Sequence, residues 1–153
     1  MVDIEKSIAD CCKQLRLSSN FSGQAMTQKG DTPQKYLLNL LTNEIEYRLI
    51  KRKNKYLNTA GFPHRYNVDE FRTNEIDFPD GVNLDSLINL DFYHTGKNVI
   101  MYGGTGTGKT MLSILIGISA CNQEIPVKFY RTAGLINLFS ESQSKGNLTA
   151  LKK

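Results

Sequence analysis

The sequence predicts an α/β protein in which a helical N-terminal region precedes an incomplete core built on a parallel sheet. Three observations support this fold class. Apolar residues recur every three to four positions over the first 60 residues, as they do in amphipathic helices. From Lys97 onward, short apolar runs alternate with helical segments, which is the pattern of strand–helix units. A glycine-rich turn that ends in Lys109-Thr110 joins the first apolar run to the next helix.

The composition fits one ordinary domain or two small ones and excludes several classes of protein. The 153 residues are 40% apolar and 22% charged, which is enough for a packed core. Three cysteines and two histidines lack the spacing of a disulfide scaffold or a zinc site. No apolar stretch is long enough to span a bilayer, and the N-terminus lacks the pattern of a signal peptide. We therefore expect a cytoplasmic protein with reduced thiols and no membrane partner.

Residues 1–61 are expected to form a helical domain. The polar segment 18–31, rich in Ser, Gly, Asn and Gln, predicts a loop or a weak element. A long second helix should begin at Thr32, a favourable N-cap followed by Pro33 at the first helical position, and end near residues 58–61. A first amphipathic helix precedes both, with apolar side chains at Ile4, Ile8, Cys11, Cys12 and Leu15.

The second helix changes character along its length. Its first half carries apolar side chains at steps of four residues, at Leu37, Leu41, Ile45 and Leu49. Four basic residues follow on nearly the same side, at Arg48, Lys51, Arg52 and Lys55. Two interpretations are open: a helix that leaves the core and exposes its end to solvent, or a ridge that contacts DNA phosphates or a partner protein.

Charge divides the chain into three parts. Residues 1–66 carry 11 Lys and Arg against 6 Asp and Glu, residues 67–96 carry 1 against 7, and residues 97–153 carry 7 against 2. Residues 62–96 are therefore predicted to be an acidic connector, extended at first and with a short helix over residues 83–90. The two basic segments suggest a polyanionic partner, either nucleotide phosphates or nucleic acid.

Residues 97–153 predict the first part of a nucleotide-binding core. Strands are expected at residues 98–102 and 126–131, with helices at residues 109–121 and 133–142. A complete doubly wound sheet commonly has about five or more strands. Two strand–helix units are too few for such a sheet, so we expect these residues to hold an incomplete core.

The turn at residues 103–110, here called the glycine-rich loop, matches the P-loop (Walker A) pattern G-x-x-x-x-G-K-[ST] completely. Glycines let the backbone approach a polyphosphate closely, and the loop N–H groups then form an anion nest at a helix N-terminus. Lys109 supplies a positive charge to the β- and γ-phosphates, and the Thr110 hydroxyl can ligate Mg²⁺. The predicted ATP and Mg²⁺ site is Gly103, Gly104, Thr105, Gly106, Thr107, Gly108, Lys109 and Thr110.

Hydrolysis needs a further acidic residue that holds Mg²⁺ or orients the attacking water. After Lys109 the only carboxylates are Glu124 and Glu141, and neither ends an apolar run. Asp91 does follow an apolar run, but Asn89 interrupts that run. The run also precedes the glycine-rich loop, whereas the acidic motif would follow it. Because no carboxylate fits this role, we assign no catalytic residue and expect ATP binding without hydrolysis. The guanine-specific pattern N-K-x-D is also absent, which favours an adenine nucleotide as the ligand.

The stretch from Gly96 to Ser142 resembles the IstB/DnaC-like helper ATPases, a branch of the AAA+ group. The resemblance rests on a P-loop that opens an apolar helix ending in Ser-Ala-Cys at residues 119–121, and on a strand that runs into Thr132-Ala133. Leu-Arg-Leu at residues 15–17 and the aromatic and acidic stretch 71–78 are also similar to this family.

This resemblance implies an AAA+-like core and a helper of transposition that binds ATP, self-associates on DNA and acts with a transposase. Carried over by position, residues 103–110 would be the ATP site. The family's acidic strand motif, polar sensor and arginine finger lie beyond Lys153, so we expect a truncated copy. Two alternatives remain open: an interaction protein similar to the helicase loader DnaC, or a non-catalytic DNA-binding or regulatory remnant.

Overall fold

The computed structural model describes residues 4–73 and 76–146, and it divides the chain into two compact units, Met1–Asn54 and Lys55–Lys153. The boundary falls before the predicted border between residues 61 and 62. The described helices are α1 (Ile4–Gln14), α2 (Ser19–Thr27), α3 (Pro33–Thr59), α4 (Leu84–Ile88), α5 (Asp91–His94), α6 (Lys109–Asn122) and α7 (Thr132–Ser144). Among the described residues, no helix is both long enough and apolar enough to cross a membrane.

The first unit contains α1, α2 and most of α3. The turn after α1 contains Arg16, whose φ of 54° is left-handed, and the Leu17 N–H donates to the Cys12 carbonyl at 2.8 Å. Helix α2 occupies the segment for which the sequence predicts a loop or a weak element. Its residues have modest helix propensity, but α2 packs against α1, and such tertiary contacts override local preference.

A buried carboxylate joins α3 to the turn between α1 and α2. Glu44 is only 5% exposed and accepts hydrogen bonds from the Ser18 N–H at 2.8 Å and the Ser18 hydroxyl at 2.5 Å. The Nε of Arg48 donates to Glu44 at 2.7 Å, and the same guanidinium donates to the Arg16 carbonyl at 2.6 Å. Burial alone would raise the pKa of Glu44, but the bonds from Ser18 and Arg48 together lower it below its ordinary value.

The apolar face predicted for α3 is a surface and not part of the core. Leu37, Leu41 and Ile45 are 53%, 45% and 59% exposed. The buried side chains of α3 are Leu40 and Glu44, which lie one turn apart on a different face. The buried side of α3 is the one on which Glu44 accepts hydrogen bonds from Ser18 in the α1–α2 turn. The four-residue spacing of apolar side chains along α3 does not indicate this side.

The second unit is organised around α6. Six of its residues are buried, namely Leu112, Ile114, Leu115, Gly117, Ala120 and Cys121. Helix α4 packs against α6, and the Ser119 hydroxyl donates to the Ile88 carbonyl at 2.6 Å. Asn83 caps α4 through a reciprocal pair of hydrogen bonds with Ser86, as expected for a short helix that begins at this position.

The connector runs antiparallel along α6. The Phe62 ring lies against Gly117, where an added Cβ would come within 2.7 Å of it, and the Phe71 ring lies against Gly108 at the start of the helix. The residues before the connector are also fixed, because the Phe129 N–H donates to the Ala60 carbonyl at 2.8 Å. This path brings the connector to the end of α6 that carries the glycine-rich loop.

The predicted strands are not paired into a sheet within the part of the chain that the structure describes. Residues 97–104 and 125–131 have no regular secondary structure there. Ile100 is 87% exposed and Tyr102 is 95% exposed, although buried strands of a parallel sheet are covered on both faces. The described residues therefore provide the helices of the predicted α/β core but not its parallel sheet.

Candidate functional site

The glycine-rich loop leads directly into α6. Gly108 is the N-cap of this helix, with φ of 81° and ψ of 0°, and its carbonyl accepts the Leu112 N–H at 2.9 Å. Gly106 has a φ of 83°, and nothing lies within 4 Å of the position that a Cβ would take there. Glycine is therefore required at residue 106 by the backbone conformation and not by lack of space.

Lys109 closes the loop on itself. Its Nζ donates to the carbonyl of Gly103 at 2.9 Å, to the carbonyl of Gly104 at 2.5 Å and to the Thr107 hydroxyl at 3.1 Å. The Thr107 hydroxyl also donates to the Gly104 carbonyl at 3.0 Å. The ammonium group is thus held at the loop backbone by neutral acceptors, which a phosphate oxygen could replace with a stronger, charge-assisted bond.

Thr110 is exposed in the first turn of α6. Its hydroxyl is the type of oxygen ligand that Mg²⁺ accepts. Within residues 4–73 and 76–146, no group of three His, Cys, Asp or Glu side chains could hold a metal ion. An ion held beside this loop would take one ligand from Thr110 and the rest from phosphates and water, as is common for Mg²⁺ at nucleotides.

The carboxylates considered in the sequence do not take the position of a catalytic acid at a strand end. Glu124 follows the last turn of α6, about 20 Å along the helix axis from Thr110. Glu141 lies in the last turn of α7, and Asp91 is the first residue of α5. Glu124 is therefore too far away to share an ion with the Thr110 hydroxyl.

Phe71 lies beside the glycine-rich loop, a position that the sequence did not predict. The Cε2 atom of its ring lies 3.1 Å from the position of a Cβ on Gly108. The sequence places this residue only at the start of the aromatic and acidic stretch 71–78, and the structure shows it partly buried. An aromatic residue about 30 positions before a P-loop is not by itself a signal, because the path of the chain decides whether it reaches the loop.

The four basic residues predicted as DNA or partner contacts are all exposed on α3. Arg48 already binds Glu44 and the Arg16 carbonyl, so it has a structural role in the first unit. Lys51 places its Nζ 4.7 Å from the centroid of the Tyr47 ring. Arg52 belongs to the first unit and Lys55 is the first residue of the second.

Comparison with known proteins identifies the family. Residues 12–153 match the model of the IstB-like ATP binding protein family. The chain is 28% identical over 120 residues to a Bacillus thuringiensis subsp. berliner protein provisionally named as the ATP-binding protein of insertion sequence IS232. It is 26% identical over 113 residues to the corresponding, also provisionally named, protein of insertion sequence IS5376 from Geobacillus stearothermophilus.

These alignments cover 76% and 74% of the chain, but 47% and 45% of the two relatives. The chain therefore spans slightly less than half the length of the curated relatives that it matches. The family match extends over nearly the whole chain and includes the glycine-rich loop and α6. The chain belongs to the family of IstB-like ATP-binding proteins.

Proposed function

We propose that residues 103–110 bind the triphosphate of ATP with its Mg²⁺ ion. The observation that carries this proposal is the arrangement of Lys109, whose Nζ is held over the loop carbonyls at the start of α6. A lysine at a helix N-terminus is disfavoured by the helix dipole, by about 0.3–1 kcal/mol. A bound polyphosphate removes this penalty because it faces both the ammonium group and the N–H groups of the loop.

Binding would then proceed by an exchange of acceptors. The Lys109 Nζ leaves the Gly103 and Gly104 carbonyls and donates to phosphate oxygens, while the loop N–H groups donate to the same anion. Thr110 would hold the Mg²⁺ ion through its hydroxyl. When bound, Mg²⁺ would neutralise part of the negative charge on the phosphate oxygens. We expect no hydrolysis by this chain, because no carboxylate has been assigned to the ion or to an attacking water.

The core that would surround this site is proposed to be AAA+-like. Membership of the family favours an α/β fold, in which residues 98–102 and 126–131 become strands of a parallel sheet. The apolar run at residues 98–102 supports this, because it is of the kind found in the buried strands of a parallel sheet.

The wider role that we propose is in transposition, with DNA and a transposase as partners and with self-association of the complete core. Both relatives described above are named for insertion sequences, which favours this role over that of a helicase loader. The exposed basic residues Lys51, Arg52 and Lys55 are the proposed DNA contacts on α3. Arg48 is also exposed, and it has a structural role through its hydrogen bonds to Glu44 and to the Arg16 carbonyl.

Binding of a fluorescent ATP analogue to wild type and to Lys109→Ala tests the proposal. A hydrogen bond to a charged group contributes about 1.5–3 kcal/mol, so the variant should bind about 10- to 150-fold more weakly. Lys145→Ala is the matched control, since it removes the same charge from an exposed position in the same unit. Equal affinity of Lys109→Ala and wild type would refute the assignment of the site.

A single-turnover experiment with labelled ATP tests the second half of the proposal. The chain should release no phosphate above the rate of a Lys109→Ala sample. Phosphate release that depends on Lys109 would contradict the expectation that these residues bind ATP without hydrolysing it.

A further inference from the structure

We propose that the ring of Phe71 is the platform on which the base of the bound nucleotide stacks. This inference rests on the proposed ATP site and extends it from the phosphates to the nucleoside. It assigns a ligand contact to the connector, a part of the chain to which the P-loop pattern gives no role.

The Phe71 ring lies beside one glycine of the loop. Among the glycines of the loop, Gly103 and Gly104 have only Thr107 near the position of a Cβ, and Gly106 has nothing there within 4 Å. Gly108 alone has a side chain from outside the loop beside it, and that side chain is Phe71 at 3.1 Å. Phe71 therefore lies beside the junction of the loop with α6, next to the place that the phosphates of a nucleotide would take.

The backbone that carries the Phe71 ring is held by a hydrogen-bonded turn. A 3₁₀ turn at Val68–Glu70 precedes Phe71, and the Phe71 N–H donates to the Val68 carbonyl at 3.0 Å. At the other end of the antiparallel segment, Phe62 is packed between Gly117 and Phe129, with 6.0 Å between the centroids of the two phenyl rings. A ring fixed in this way loses little conformational entropy when a ligand stacks on it.

Part of the Phe71 ring is uncovered. Phe71 is partly and not fully buried, so part of its surface remains open to a ligand. No ring contact of Phe71 occurs among the aromatic pairs found in the described residues. A planar base placed one ribose away from the phosphates would cover this surface. Every base has an aromatic face, so the platform should raise affinity for ATP and GTP alike.

The test compares two ligands, MgATP and inorganic tripolyphosphate with Mg²⁺, by isothermal titration calorimetry. Phe71→Leu should bind MgATP about tenfold more weakly than wild type, and should bind tripolyphosphate with unchanged affinity. Phe78→Leu is the matched control, because it removes a second partly buried phenylalanine from the same connector. A thermal melt of each variant verifies that it is folded.

A second variant keeps the proposal testable if Phe71→Leu is unstable. The protein contains no tryptophan, so Phe71→Trp introduces a single fluorescent reporter at the platform. Its emission should be quenched by MgATP and by MgGTP, and much less by tripolyphosphate. Equal loss of affinity for ATP and tripolyphosphate in Phe71→Leu, or no nucleotide-dependent quenching in Phe71→Trp, would overturn the platform. A wild-type chain that binds neither ligand would instead overturn the phosphate site itself.

Discussion

Replacement of Glu44 by glutamine should destabilise the first unit. The carboxylate accepts two hydrogen bonds from Ser18 and one from Arg48, and it is 5% exposed. Removal of one partner of a fully buried ion pair costs about 3–5 kcal/mol. The side chain of Arg48 is 50% exposed and can be hydrated again, so the cost here should be smaller. Glutamine keeps the volume and one acceptor oxygen, which leaves an expected loss of about 1–2 kcal/mol.

The same substitution should change the dependence of stability on pH. The pKa of Glu44 is lowered in the folded chain, so folding favours the ionised carboxylate. Its contribution is therefore fully present above the ordinary glutamate pKa of about 4.3 and is lost as the pH falls through the lower, folded value. Glu44→Gln has no such group and should lose less stability than wild type between about pH 5 and pH 3.

Urea unfolding followed by circular dichroism at several pH values provides the measurement. Because the chain divides into two compact units, the unfolding curve should be tested for two transitions before a free energy is assigned to the first unit. Glu46→Gln is the matched control, because Glu46 is an exposed glutamate two residues further along the same helix. Equal effects of the two substitutions, at neutral pH and across the acidic range, would refute the structural role assigned to Glu44.

Two further predictions concern the thiols and the basic side chains. Cys11 is exposed and should be alkylated rapidly by iodoacetamide. Burial raises the pKa of the Cys12 and Cys121 thiols and should protect both until the chain unfolds. Mass spectrometry of the labelled peptides provides the measurement, and equal labelling of all three cysteines would contradict the packing described. Lys51, Arg52 and Lys55 are exposed on α3, and their replacement by alanine should weaken DNA binding. The slope of log K against log salt concentration should fall by up to about one unit for each of these side chains that binds a phosphate. An unchanged slope would favour the interpretation of these residues as hydrated surface.

Local signals in the sequence were sufficient where the structure depends on a few neighbouring residues. The start of α3 follows from Thr32 and Pro33, and the Lys35 N–H indeed donates to the Thr32 hydroxyl at 3.2 Å. The start of α6 follows from the glycine-rich loop, since Gly106 and Gly108 adopt the left-handed conformation that this pattern requires. In such cases the residue type itself restricts the backbone, so the element can be identified without the rest of the fold.

Features that depend on distant contacts were not accessible in the same way. Apolar periodicity identified α3 as a helix, but it could not show that the buried face is that of Leu40 and Glu44. The face was selected by hydrogen bonds from Ser18, which is 26 residues away in the chain. The position of Phe71 at the loop likewise depends on the antiparallel path of the connector, and strand pairing depends on neighbours in a sheet.

Titration of MgATP into the ¹⁵N-labelled chain, followed by amide chemical shifts, tests the central claim most directly. The largest shifts should occur at the glycine-rich loop and the first turn of α6, especially at Gly106, Gly108, Lys109 and Thr110. Lys109→Ala should remove them at the same ligand concentration. Shifts confined to residues outside this loop, or the same shifts in Lys109→Ala, would contradict the account.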